Sequence, residues 1–105
     1  MNEARFQAFL ARALHDLGAA QSAVLVALGD RLGLYRAMAD GSATTAAALA
    51  RATGTAEPYV QAWLDNQACS GYVEYDAAAR TFRLPGEHAA ALADEGGRAF
   101  LGGAF

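Results

Sequence analysis

The chain of 105 residues has no lysine, one cysteine, two prolines and two histidines. A single cysteine, Cys69, excludes a disulfide within the chain. It falls at the end of a predicted helix among apolar positions, and reads there as a small core residue. His15 and His88 lie far apart, with no Cys or His at metal-ligand spacing, so the pattern gives no zinc site. His88, beside Glu87 at a predicted helix start, reads as a surface histidine. Ser22, Ser42 and Ser70 lack any nucleophile-elbow or triad context. The longest apolar run, residues 23–28, is far too short to cross a membrane. The first residues lack the basic-then-apolar layout of a signal peptide. These absences point to a soluble cytoplasmic protein without catalytic or metal-binding groups of its own. The glycine pairs at 96–97 and 102–103 follow no predicted buried strand, so they form no cofactor loop.

What is present is apolar and alanine-rich. Hydrophobic residues make up 54% and charged residues 18%, a balance that folds rather than stays disordered. The length suits one domain with a modest core. Arginine as the only strong base, with abundant alanine, is the make-up of a GC-rich bacterial genome. The net charge is -3, the wrong sign for a dedicated DNA-binding domain, which gains most of its affinity from phosphates.

Periodicity predicts a first helix over residues 2–17, with Phe6, Leu10, Ala13, Leu14 and Leu17 on one face. Asn2 is its N-cap and Gly18 its stop. An apolar face so early in a small domain must fold back on the core or cross into a second subunit. A second helical region spans 21–40, with Leu25, Leu28, Leu32, Tyr35 and Met38 repeating at three and four residues. Gly29 and Gly33 either divide it or permit close packing. Thr44 or Thr45 caps a short helix at 46–53 anchored by Leu49, and Gly54 ends it. Thr55 caps the next helix, with Glu57 and Pro58 in its first turn. There Val60, Leu64 and Ala68 face the core, with Trp63 and Cys69 alongside, and Gly71 closes the element. Residues 72–75 and 81–84 then read as two strands joined by a five-residue turn. Pro85 stops the pairing and starts a helix over 87–94.

Helix, turn, helix and ribbon over residues 44–84 make a winged helix-turn-helix, mainly α with a small β-hairpin. The order of elements has two common uses, reading DNA or serving as the dimerisation and substrate-covering domain of a larger enzyme. The recognition helix carries Glu57 and Asp65 and no base, and two carboxylates facing phosphates would be repelled. On the ribbon, Arg80 and Arg83 are balanced by Glu74 and Asp76. A stand-alone winged-helix transcriptional regulator is the alternative, and its DNA contacts would be Gln61, Asn66, Arg80 and Arg83. A pure dimerisation module is a third reading.

Three runs carry a family resemblance. Residues 28–41 (LGDRLGLYRAMADG) are similar to the segment before the helix-turn-helix of many class I methyltransferases. Residues 59–64 (YVQAWL) with 71–76 (GYVEYD), and residues 82–94 (FRLPGEHAAALAD), resemble one bacterial S-adenosylmethionine-dependent subgroup. The last run departs from that subgroup's pattern at Gly86, where a second proline is usual. The resemblance implies an N-terminal domain whose helices interleave in a homodimer and which covers part of the pocket for a small-molecule acceptor. It also implies S-adenosylmethionine held by a C-terminal catalytic domain, for whose cofactor and catalytic residues this sequence has no matching positions. On this reading residues 1–95 form the winged-helix dimerisation domain, with N-terminal helices over 1–40. Residues 96–105, with Phe100, Leu101 and Phe105, read as the start of a linker or helix toward that catalytic domain, so the chain is expected to be a fragment. The dimer interface is expected at Phe6, Leu10, Leu14 and Leu17.

Overall fold

The computed structural model describes residues 2–93. The expected linker at 96–105 and the glycine pairs lie outside the described residues. Seven elements follow in order: α1 (Glu3–Leu32), α2 (Leu34–Ala37), α3 (Ala46–Thr53), α4 (Glu57–Cys69), β1 (Glu74–Asp76), β2 (Thr81–Arg83) and α5 (Gly86–Leu92).

α1 corrects the two-helix expectation. It runs unbroken for 30 residues, about 45 Å at the helical rise. Asn2 caps it as expected, its Oδ1 accepting from Arg5 N at 3.1 Å. Gly18 does not stop it. A lone glycine costs about 1 kcal/mol against alanine in a helix interior, and the helix-forming residues on both sides outweigh that. The break comes at Gly33, whose φ of 74° reverses the chain. Arg36 then fastens the corner, its Nη2 donating to the Asp30 carbonyl at 2.7 Å and its Nη1 meeting Asp30 Oδ1 at 3.3 Å.

α3 forms as its caps dictate. Thr45 Oγ1 accepts from Ala48 N at 3.2 Å, and Gly54 ends the helix at φ 68°. α4 starts one residue later than expected. Ala56 occupies the N-cap position without a side-chain hydrogen bond, because the Thr55 hydroxyl is engaged with Thr53 Oγ1 at 2.8 Å. Gly71, at φ 80°, turns the chain out of α4.

The ribbon is shorter than expected and pairs antiparallel, Glu74 with Arg83, Tyr75 with Phe82 and Asp76 with Thr81. Asp76 Oδ1 accepts from Ala78 N and Ala79 N at 3.0 and 3.2 Å, which shapes the turn. Phe82 also bridges to Thr44 through two backbone hydrogen bonds of 2.8 Å. That bridge ties the wing to the segment before α3. The core gathers Val26, Leu34, Tyr35, Met38, Leu49 and Leu64 with residues of the ribbon and α5. Leu28 and Leu32, which share the repeat of Leu25, Tyr35 and Met38, are exposed. No helix among the described residues is long and apolar enough to cross a membrane.

Candidate functional site: the free face of α1 and the two sides of α4

Among the described residues, it is the C-terminal part of α1 that is built into the domain. Trp63 Nε1 donates to the Leu25 carbonyl at 2.9 Å. Ser22 and Ser70 share a hydroxyl contact of 3.1 Å. Gly29 lies directly beneath Trp63 and Tyr35, where a Cβ would come within 2.5 Å of the indole. The two rings meet edge to face with centroids 5.0 Å apart. Behind them the Tyr35 hydroxyl donates to Gln67 Oε1. Gln67 is fully buried on α4, a position whose polar type alone gave no sign of burial. Burial pushes the Tyr35 phenol up from its ordinary value of 10.0, with the charges of Tyr72 and Asp30 adding to the shift.

The N-terminal part of α1 projects from this root. All four residues expected at a dimer interface are exposed there: Phe6 by 42%, Leu10 by 39%, Leu14 by 60% and Leu17 by 58%. Val24, exposed by 68%, extends the apolar surface beyond the expected set. Arg12 lies over the exposed Phe9 ring at 5.7 Å.

α4 has two accessible sides. Toward the wing, Gln61, Asp65, Tyr75 and Arg80 line a groove of about 440 Å³. Gln61 donates to Asp65 at 3.0 Å, and Arg83 pairs with Glu74 at 2.9 Å. The structure thus brings Gln61 and Arg80 to one groove, but engages Arg83 elsewhere on the ribbon. Asn66 lies on the other side of α4. There a cleft of about 630 Å³ opens against α1, lined among others by Leu14, His15, Ser22, Asn66, Cys69 and Tyr72. Cys69 is exposed in this cleft and is not a core residue. It sits on the last turn of α4, where the cleft opens beside α1. His88 is half-buried rather than on the surface, because its Nδ1 pairs with the Tyr72 carbonyl at 2.7 Å. Among the described residues no group of three or more His, Cys, Asp or Glu could hold a metal ion.

Known proteins share this fold. Residues 20–94 match the model of the Rv2258c-like winged HTH domain. The chain belongs to the Rv2258c-like winged helix-turn-helix family. No curated protein matches it. Among solved structures, this winged-helix domain superposes on PigF with SAH, at a TM-score of 0.76 and 19% identity over 89% of the chain. An O-methyltransferase so named from Nostoc punctiforme PCC 73102 gives 0.74 and 18% over 88%. CalO1, a methyltransferase in calicheamicin biosynthesis in its SAH-bound form, gives 0.69 and 25% over 90%. The chain spans only 30%, 27% and 26% of those three proteins respectively.

Proposed function

We propose that this winged-helix domain is the dimerisation and substrate-covering domain of a bacterial, cytoplasmic methyltransferase that uses S-adenosylmethionine. Residues 1–95 would form the domain, and 96–105 would lead toward a C-terminal catalytic domain that holds the cofactor. The observation that carries the reading is the apolar face of α1. Phe6, Leu10, Leu14 and Leu17 are all exposed, on a helix that the described residues fasten toward its other end. Contiguous apolar surface of this kind marks a site of association. A second copy of the chain is the partner, and together the two copies would help exclude water from the acceptor pocket. The structural likeness to methyltransferases, two of them solved with SAH, supports the enzymatic context.

The α4 surface supports this reading over DNA binding. α4 carries Glu57 and Asp65 and no base, and Arg83 is already paired on the ribbon. The test has two parts. Sedimentation of the chain, alone and with Phe6→Asp or Leu10→Asp, should show a dimer that those changes abolish. A chain extended by the downstream coding sequence should bind S-adenosylmethionine in calorimetry, whereas residues 1–95 alone should not. A monomeric wild type would remove the dimer, and an extended chain without cofactor affinity would remove the enzyme.

A further inference from the structure

The outer face of α1 carries a more specific pattern than apolarity. Positions spaced alternately by three and four residues run along it as a heptad seam. One set of seam positions holds Leu10, Leu17 and Val24, and the interleaved set holds Ala13, Ala20 and Ala27. Phe6 and Arg31 occupy the two ends of the same seam. Every one of these residues is exposed except Ala27, which is half-buried. At 3.6 residues per turn, the seam lies opposite Ser22, Val26 and Gly29, the positions that face the rest of the domain. α1 therefore has an inner face used by its own fold and an outer face that the other described residues leave uncovered.

We propose that the occupant of this seam is α1 of a second copy, packed antiparallel in one register. The proposal rests on the dimer reading above and assigns its geometry. In this register Leu17 meets Ala20 of the second copy, Leu10 meets Ala27 and Val24 meets Ala13. Each of these three layers then sets one large side chain against one small one, so the helices stay evenly spaced and close, at about 8 Å. A parallel pair would instead stack Leu10 on Leu10 and Ala13 on Ala13, alternating wide layers with voids.

Charge complementarity selects the same arrangement. The antiparallel register lays Arg31 over Phe6 of the second copy, a cation on an aromatic face. A parallel pair confronts Arg31 with Arg31 and Glu3 with Glu3. An antiparallel register shifted by one heptad sets Val24 against Phe6 and brings Asp16 beside Asp16, and the opposite shift leaves Phe6 and Leu10 without partners on α1 and brings Asp16 beside Asp30. Leu14 stands off the seam, at the mouth of the cleft toward α4, and is a flanking residue.

Cysteine cross-linking in a Cys69→Ser background tests the register, since a disulfide needs Cβ atoms within about 4.5 Å. Ala13→Cys and Val24→Cys proteins, each oxidised alone, should remain uncross-linked. Their mixture should give a covalent dimer. Sedimentation should show Leu17→Asp weakening association more than a hundredfold and Leu14→Asp less than threefold. Ala20→Leu should weaken it at least tenfold with the helix content unchanged. A covalent dimer from Ala13→Cys alone would overturn the antiparallel assignment. A dimer in sedimentation that the mixture fails to cross-link would overturn the seam while leaving the dimer standing. A monomer at all concentrations would overturn both.

Discussion

The indole Nε1 of Trp63 donates a hydrogen bond to the carbonyl of Leu25 at 2.9 Å, across 38 residues of sequence. This bond joins α4 to the root of α1. The aim of the free end of α1 is therefore set by the winged-helix body. The same ring covers Gly29 one turn further along, so hydrogen bond and close packing act on one short stretch of the helix.

Gly29→Ala is predicted to destabilise the fold. The added Cβ would stand 2.5 Å from Trp63 Cζ2 and 2.9 Å from Tyr35 Cε2. Overpacking of this kind costs about 1–3 kcal/mol, more than the roughly 1 kcal/mol that alanine contributes in helix propensity. Gly18→Ala has the opposite sign. Among the described residues nothing lies within 4 Å of the site, so the propensity gain of about 1 kcal/mol stands alone. Urea denaturation of the two variants checks both directions.

The Tyr35–Gln67 pair should be non-additive. Tyr35→Phe leaves the buried Gln67 carbonyl without its donor, at a cost of about 1–3 kcal/mol. Gln67→Leu strands the Tyr35 hydroxyl in the same way. The double variant should lose less than the sum of the two, since neither group then lacks a partner. A double-mutant cycle by chemical denaturation measures the difference.

Alkaline pH probes the same phenol. Its folded pKa is raised above the unfolded 10.0, so above pH 10 the unfolded chain binds fewer protons than the folded one. The stability linked to Tyr35 is complete below pH 10. It is lost as pH rises toward the folded value, by at most about 1.4 kcal/mol per pH unit. Tyr35→Phe should flatten that part of the stability–pH curve.

Acid pH probes Asp40. Its carboxylate accepts from Ser42 N at 3.0 Å and from Ser42 Oγ at 2.7 Å, and these bonds lower its pKa. The linked stability is present above the unfolded carboxylate range and is lost as pH falls through the folded value. Ser42→Ala removes the hydroxyl donor and keeps the backbone one, so the Asp40 pKa should rise part of the way back. An NMR titration of the Asp40 side chain reads this directly.

The elements set by local chemistry were legible in the sequence. Thr45, Gly54 and Gly71 mark where α3 and α4 begin and end, because caps and left-handed turns depend on neighbouring residues alone. That Phe6, Leu10, Leu14 and Leu17 lie on one side of α1 was legible for the same reason, since a 3.6-residue stripe shows which side chains share a face. What was not legible depends on distant partners. Gly18 reads as a stop until the residues on either side hold one helix through it. Cys69 reads as core because nothing local shows that α1 leaves a cleft beside it. Gln67 and His88 read as surface polar groups, but their burial follows from Tyr35 and from the Tyr72 carbonyl, 32 and 16 residues away. The Thr44–Phe82 bridge is likewise a long-range pairing that no local pattern announces.

Duplex DNA should bind weakly or not at all. With two carboxylates and no base on α4, few phosphates are neutralised, so binding should be weak or absent even at low salt, with only a shallow salt dependence. Fluorescence anisotropy with mixed-sequence duplexes at two salt concentrations checks this.

The most direct test of the central claim is sedimentation equilibrium of the wild-type chain beside Leu17→Asp. The wild type should have twice the chain mass, and the variant should be a folded monomer. A wild type that stays monomeric at high concentration, or a Leu17→Asp protein that still dimerises, would contradict that claim.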